Sequence, residues 1–566
     1  MSKRKFRLAI LTGRDSEATC SAITPLLGLP NVEVSGILLD TELPSLQQRS
    51  RNLRRNLKRE GYSYLLFRLG EAIFDLLEDR AGRVVLKADT YRLLRDSFPE
   101  RAFSLSDFTR LHGIPVLEVG NLNSPQSAQT LRSMQADLGV VIGTRILKAS
   151  TFAIPRLGCL NLHKGKVPEY RGQPAGFWEI YDGQKMGGVT VHFVDQGLDT
   201  GDIVGEACVP VHSKDSPDTL RRKLDMQGAA LLASCVSQVV EGTVVRRPQP
   251  KSEFKARTSP TREQRRSVEK KLGMDGPQQL RWLYAIKTLL YLAIYHSGIL
   301  RLIRAWHRRA PKGRGCIILY HRVNDLTRDV LTISEVRFAE HLIAMGRSYP
   351  LVTTTEIVQK VKQHSHLSGS AIAIHFDDCY RDVYTNASRL LSHLKVPACA
   401  FISSGFIGTD RVFPHDALKC PFHLENLKSD EVTGLVERGF EIGSHTVNHA
   451  DLGQVGVDDA FTELSESKKD LEVLLKRSVK LLSYPYGKKL NIRPEVTEIV
   501  RKVGYEAMFS AYGGYINGHD NEFDIRRIGV SGQYRALDLL MAIEGVALEN
   551  LKQSWGESKL RRGRLD

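Results

Sequence analysis

The chain has 566 residues, 42% of them hydrophobic and 25% charged, an ordinary globular composition with room for three or four domains. Eight cysteines scattered without a C-x-x-C pair argue against a disulfide framework and a cysteine zinc site, in keeping with a reducing cytoplasm. A net charge of +16 favours anionic partners, whether nucleic acid, phosphorylated sugars or a membrane surface, without choosing among them.

The opening M-S-K-R-K-F-R-L-A-I-L-T-G has basic residues but only a short apolar run before Arg14, Asp15 and Glu17, so it does not read as a signal peptide and a cytoplasmic location is expected. Phe6 to Gly13 and Val32 to Asp40 read as buried strands with a helix over Ala18 to Leu27 between them, a βαβ opening. The turn Thr12 to Asp15 lacks the G-x-G-x-x-G pattern, so no dinucleotide site is expected. From Leu46 to Arg95 the pattern turns helical and basic, with R-S-R-N-L-R-R-N-L-K-R at Arg49 to Arg59; a solvated helix face explains it, an acidic partner being the alternative. Gly113 to Val119 and Asp137 to Ile142 read as further strands, the second apolar throughout, as in a sheet covered on both faces. A ligand crevice at their carboxyl ends would fall at Gly143, Thr144 and Arg145.

The run from Cys159 to Ile203 reads C-L-N-L-H-K-G-K-V-P-E-Y-R-G-Q-P-A-G and, after a β-rich stretch, G-L-D-T-G-D-I. On an extended strand Asn161 and His163 project to the same face, about 7 Å apart, and Asp199 arrives from a later turn. Acyl transfer to an amine builds an oxyanion that an amide and an imidazole can stabilise while a carboxylate orients the imidazole or collects the amine proton. Taken singly, Asn161 and Asp199 are turn residues; their order and spacing decide. N-L-H, P-E-Y-R-G and G-L-D-T-G-D-I together resemble the formyltransferases that use 10-formyltetrahydrofolate, the family of methionyl-tRNA formyltransferase and the sugar-amine N-formyltransferases. That resemblance implies a Rossmann-like fold, Asn161, His163 and Asp199 as the catalytic trio, 10-formyltetrahydrofolate as cosubstrate, and its pterin near residues 143–145. K-G-K-V-P replaces the S-L-L-P usual in the tRNA enzymes. Ser216 to Val240 reads as a long closing helix, and the segment after it lacks the strand-rich pattern of the small tRNA-binding barrel, so no specific nucleic acid is expected.

Leu280 to Arg309 carries an uncharged run from Thr288 to Leu300, short of the roughly 20 residues that cross a bilayer. With its tyrosines, Trp306 and flanking Arg and Lys it reads either as a hydrophobic linker helix packed between domains or as a peripheral membrane contact. A second α/β region starts at Cys316. A-I-A-I-H-F-D-D-C-Y ends a buried strand on Asp377 and Asp378, and S-H-T-V-N-H places His445 and His449 four apart, a spacing that predicts two imidazoles on one face of a helical turn. One carboxylate, two imidazoles and an open position make a catalytic metal site, with the second carboxylate as base.

Y-H-R-V, H-F-D-D, S-H-T-V-N-H and L-S-Y-P-Y-G in this order resemble the polysaccharide deacetylases with a NodB-type domain. The resemblance implies a distorted (β/α) barrel, a divalent metal, zinc by preference, held by Asp378, His445 and His449, Asp377 as general base, and the Tyr486 main-chain N–H at the oxyanion. Ser483 stands where many members have Arg, so another group must orient the base. The late Leu-x-x-His motif is missing; the region reads F-D-I-R-R-I-G-V, and His321, His519 or a metal-bound water that shuttles the proton itself are the substitutes on offer for a general acid. The tail from Leu537 predicts one amphipathic helix and then frayed basic residues.

The expected organisation is α/β throughout: a formyltransferase domain over 1–255, a basic linker with a hydrophobic helix over 256–314, and a deacetylase domain over 315–566. The expected function is bifunctional carbohydrate modification: metal-dependent loss of an N-acyl group and formylation of an amine, on a small-molecule or lipid-linked amino sugar of a surface polysaccharide. A methionyl-tRNA-type formyltransferase with an accessory domain, and a membrane-associated scaffold with one inactive domain, are the alternatives.

Overall fold

The computed structural model describes residues 4–547 apart from 83, 251–252, 273–276, 310–312, 327–328, 366, 379, 418–419 and 490; the basic tail residues expected to fray lie outside the described residues. The chain forms two compact units, Met1–Gly70 with Pro99–Pro277, and Glu71–Phe98 with Gln278–Asp566.

The first unit is built on a seven-stranded sheet of β1 (Phe6–Thr12), β2 (Val32–Asp40), β3 (Val116–Val119), β4 (Leu138–Ile142), β5 (Cys159–His163), β6 (Met186–Phe193) and β7 (Ile203–Pro210), in the order β3-β2-β1-β4-β5-β6-β7. Strands β1 to β5 run parallel, and β6 and β7 add an antiparallel edge. Alternation along β1 supplies two cores: Leu8 and Ile10 pack with Ile23, Leu26, Leu232 and Val236 of the helices Glu17–Leu27 and Pro217–Glu241 on one face, and Ala9 and Leu11 pack with Leu131 and Met134 on the other. Each of those two helices starts where a serine caps it, Ser16 and Ser216 accepting from the main-chain N–H of Thr19 and Thr219. Strand order reverses between β1 and β4, and a parallel sheet opens a ligand crevice at the carboxyl ends of its strands at such a point. Among the described residues between Glu241 and Gln278 there is no strand, only isolated bridges at Arg247 and Arg257 and the helix Arg262–Lys271.

The second unit holds β8 (Gly313–Tyr320), a small ladder of β9 (Arg322–Val323) and β10 (Thr332–Ile333), then β11 (Leu367–Phe376), β12 (Ala398–Ile402), β13 (Phe440–Ser444), β14 (Leu481–Ser483), β15 (Ala507–Phe509) and β16 (Ile528–Gly529). The main sheet is parallel, in the order β15-β14-β13-β12-β11-β8-β16. One segment bonds to both of its edges. Ser510 N–H donates to the Ile525 carbonyl at 2.9 Å and Ile525 N–H to Met508 at 3.0 Å, while Ile528 pairs with Ile318 of β8. Residues 522–529 thus roll the sheet into the distorted barrel.

Two local expectations are corrected. Residues Ala536–Ile543 form the predicted helix, but every one of them is buried, with Asp538 paired to Arg535, so it has no solvent face and is not amphipathic. Leu280 to Arg309 is two helices, Pro277–His296 and Ile299–Arg308, broken at Gly298 with φ 81°. No single described helix is long and apolar enough to cross a bilayer.

Candidate active sites

In the first unit β5 carries Asn161 and His163 to the carboxyl end of the sheet, and the antiparallel pairing of β5 with β6 puts His192 directly across from Asn161. Asp199 joins them from the G-L-D-T-G-D turn. That turn is fixed from within and from outside: Thr200 Oγ1 donates to Asp195 at 2.7 Å, and the distant Gln249 Nε2 donates to the carbonyls of Asp199 and Gly201 at 3.0 and 2.8 Å. Asn161 Nδ2 lies 3.2 Å from Asp199 Oδ1 and 3.1 Å from His192 Nε2. His163 Nδ1 faces Asp199 Oδ2 at 3.4 Å. Gly172 N–H donates to the same carboxylate oxygen at 3.1 Å.

The main-chain partners set the tautomers, because a carbonyl only accepts. His163 Nε2–H donates to the Tyr170 carbonyl at 2.8 Å, which leaves Nδ1 toward Asp199. His192 Nδ1–H donates to the Phe193 carbonyl at 2.8 Å, so its Nε2 accepts from Asn161. Burial lowers the His163 pKa, with Asp199 opposing. Burial acts upward on Asp199, but His192, the charge of His163 and the Gly172 N–H outweigh it and hold the carboxyl below its ordinary range. A cavity of about 320 Å³ opens over this group and reaches Arg14, Gly143, Thr144 and Arg145. Arg145 is tied to Asp40 and Glu42.

In the second unit the carboxyl ends of β11, β13 and β14 converge. Asp377 and Asp378 follow β11, and Asp378 adopts a left-handed φ of 76°, which sends the adjacent carboxylates to different places. His445 Nε2 and His449 Nε2 lie 3.6 and 3.2 Å from Asp378 Oδ1. The two histidines are not on a helical turn as their spacing predicted: Thr446 and His449 have φ of 64° and 54°, and the loop after β13 delivers both rings. His445 Nδ1–H donates to the Ser483 carbonyl at 2.8 Å, turning its Nε2 lone pair to the aspartates.

Both Asp378 oxygens are buried without a hydrogen-bond partner, and one ligand atom from each of Asp378, His445 and His449 lies within 4.8 Å of the others. A buried, bare carboxylate between two imidazoles is costly unless a cation joins it, so these residues fit a divalent metal, with the His445 ring held in place for it by the Ser483 carbonyl.

Asp377 has the partner that Ser483 alone did not promise. Arg527 donates from Nη1 and Nη2 to the two Asp377 oxygens at 2.7 Å each, and Ser483 Oγ–H donates at 3.0 Å. Burial acts upward on this carboxyl, yet the Arg527 charge holds it down at about 2. Tyr486, with φ 59°, rests its ring on His449 at 4.9 Å. Of the offered general acids, His321 lies in the field of both aspartates, whereas His519 is exposed and stacks on His364.

Three groups escaped the sequence reading. His192 was legible: it lies in the β-rich stretch ahead of G-L-D-T-G-D-I, which pairs with the Asn161 strand. Arg527 stands in the quoted F-D-I-R-R-I-G-V, but nothing local says which arginine turns inward. His415 carried no signal at all; its Nε2 is 3.6 Å from Asp378 Oδ2 and 3.0 Å from the Tyr380 hydroxyl.

Comparison with known proteins finds a different family in each half of the chain. Residues 87–236 match the family model described as formyl transferase, and residues 364–508 the one described as polysaccharide deacetylase. The methionyl-tRNA formyltransferase of Azobacteroides pseudotrichonymphae genomovar. CFP2 is 34% identical over 146 residues, 26% of this chain and 44% of the relative. That of Thermosynechococcus vestitus is 38% identical over 143 residues, 25% of this chain and 42% of the relative. The chain thus spans less than half the length of these curated relatives. Among solved structures, a Streptococcus pyogenes deacetylase in complex with acetate aligns at TM-score 0.35 and 19% identity, over 41% of this chain and 98% of that one. A phosphoribosylglycinamide formyltransferase from Bacillus halodurans aligns at TM-score 0.27 and 20% identity, over 41% and 95%.

Proposed function

We infer, from a chain that joins a formyltransferase domain to a polysaccharide deacetylase domain, that it is a bifunctional carbohydrate-modifying enzyme. One unit formylates the amine of an amino sugar, and the other removes an N-acyl group from one, in surface polysaccharide synthesis. The observation that carries the reading is that each unit gathers its candidate residues in one place: Asn161, His163 and Asp199 in one, Asp377, Asp378, His445 and His449 in the other.

10-Formyltetrahydrofolate, the formyl donor that the family implies, would lie in the cavity over Asn161. As the acceptor amine attacks the formyl carbon, Asn161 exchanges its N–H bond to Asp199 for one to the formyl oxygen, where negative charge grows. The new C–N bond forms, the C–N bond to the folate nitrogen breaks, and the amine proton passes through the Asp199–His163 pair to the departing nitrogen.

In the second unit a divalent ion, zinc by its donor set, would be held by Asp378, His445 and His449 and supplies a Lewis acid for the amide carbonyl. Asp377 takes the proton of the attacking water and returns one to the amine as the amide C–N bond breaks. Arg527 keeps Asp377 ionised and aimed, at a cost in basicity, and the main-chain N–H of Tyr486 faces the oxyanion.

A methionyl-tRNA acceptor is the second reading, favoured by the names of the curated relatives and opposed by the absence of strands among the described residues between the Pro217–Glu241 helix and Gln278. The test is mass spectrometry of nucleotide-linked amino and N-acetylamino sugars, and of methionyl-tRNA, incubated with the protein with and without 10-formyltetrahydrofolate and with and without a chelator. Folate-dependent formylation of a sugar amine and chelator-sensitive loss of an acyl group from a sugar amide are expected. Formylation of methionyl-tRNA alone would replace the sugar reading by the second one.

A further inference from the structure

Tyr284–His296 of the helix Pro277–His296 and the helix Ile299–Arg308 meet at a 66° bend, each with two unlike sides. Inward, Thr288, Tyr291 and Leu292 on the first and Leu300 and His307 on the second are buried. Arg535 donates to Thr288 Oγ1 at 3.1 Å, Lys287 pairs with Asp538 at 3.4 Å, and Arg304 and His307 both reach Glu544, at 3.0 and 2.8 Å. The pair is therefore pinned along one side to the last helix of the barrel and the residue after it. Outward, Ile286, Leu289 and Leu290 of the first helix are exposed, as are Ile299, Leu302 and Trp306 of the second, Leu302 at 71% and Trp306 at 70%. The second set falls at i, i+3 and i+7, a single stripe.

An exposed apolar stripe of this kind marks a surface that something covers, and charge says what. From residue 276 to residue 324 the chain has no Asp or Glu, and Arg301, Arg308 and Arg309 are exposed on the helix that carries Leu302 and Trp306. An acid-free segment with an apolar stripe, a protruding Trp and arginines complements a surface that is apolar beneath and anionic above. A pair bent by 66° and pinned along its inner side lies along such a surface and does not cross it.

We propose that the outward face of the helices Pro277–His296 and Ile299–Arg308 seats the second unit on an anionic lipid bilayer, with Ile299, Leu302 and Trp306 at the acyl boundary and the arginines among the phosphates. This stands independently of the proposed chemistry, since it rests on the two helices alone. The test is co-sedimentation of the full chain with vesicles of phosphatidylcholine with and without phosphatidylglycerol, at low and high salt. The unmodified protein is expected to bind the anionic vesicles and to weaken as salt screens the arginines. Replacement of Ile299, Leu302 and Trp306 by Ser leaves net charge unchanged and is expected to weaken binding roughly tenfold or more, with an unaltered circular dichroism spectrum; Arg301, Arg308 and Arg309 replaced by Gln should remove the preference for anionic vesicles.

Three results would overturn the proposal. The first is no binding at low salt; the second is equal binding by the triple Ser variant, which would place the contact on other basic segments. The third is a concentration-dependent dimer, lost in the triple Ser variant, without vesicle binding, which would give the face to a second copy of the chain. Should the triple variant fold poorly, the single change Leu302→Ser on this exposed position provides the same comparison.

Discussion

Asp377 keeps its charge in a buried place because both of its oxygens are engaged by Arg527, and the same bidentate clamp fixes the direction in which it can take a proton. Replacing Arg527 by Lys keeps a positive charge but loses the fork. We expect deacetylation to fall roughly 10²-fold with metal content unchanged by elemental analysis, and the acid limb of the rate profile to move to higher pH, because the clamp is what holds Asp377 low. A different buried acid sits in the first unit. Glu179 is 2% exposed, and burial pushes its carboxyl up to about 7. Its folded value lies above its ordinary one, so the folded state binds the extra proton between about pH 4.5 and 7, and stability falls as pH rises through that window. Glu179→Gln should therefore raise the melting temperature at pH 8, by up to about 3 kcal/mol of stability, and leave it nearly unchanged at pH 4.5. Thermal melts at the two pH values check this. Motif residues close in sequence, such as Asn161 and His163, were legible because strand alternation alone unites them. Arg527 reaches Asp377 across 150 positions, a distance that no local pattern encodes.

Strands were easier to read than turns. Val32–Asp40 and the apolar run of β4 follow from β-branched, both-faces-covered patterns, whereas the His445–His449 spacing suggested a helix that two left-handed residues forbid. Backbone sign is invisible to spacing arguments unless a glycine declares it. Gly172 does: at φ 94°, a Cβ there would stand 2.2 Å from the Arg257 carbonyl oxygen, and its N–H is one of the groups that hold Asp199. Gly172→Ala must push the loop off Arg257 and take that N–H from the carboxylate. Formyl transfer should drop at least about tenfold, as loss of one charge-assisted hydrogen bond of about 1.5–3 kcal/mol implies, while chelator-sensitive deacylation by the second unit is retained. Measuring both activities on one preparation separates a local lesion from general unfolding.

At the scale of the whole chain, the helix Lys87–Ser97 belongs with the second unit although it is encoded within the first. It buries Leu93 and Leu94, Phe98 follows it into the core, Arg389 lies 4.4 Å over the Phe98 ring, and Arg347 pairs with Asp89 at 2.6 Å. Nothing in the basic, helical text from Leu46 to Arg95 told where that helix would pack, since its apolar residues fit any core. Residues 278–547 expressed alone should lack this cover. Losing the burial of Leu93, Leu94 and Phe98 against the rest of the unit, at about 1.5–3 kcal/mol each, amounts to a large part of a domain's stability of about 5–15 kcal/mol. We expect a markedly lowered melting temperature for that fragment, restored when residues 71–98 are supplied with it.

The segment that closes the barrel, residues 522–529, also carries Arg527. During synthesis the ribosome releases Asp377, Asp378, His445 and His449 well before that segment, so a nascent chain has its candidate metal ligands in hand while Asp377, the proposed proton acceptor beside them, is still unclamped. Closing the ring and arming the base are then a single late event, and a chain stalled short of residue 530 would bind its ion without acquiring hydrolytic competence.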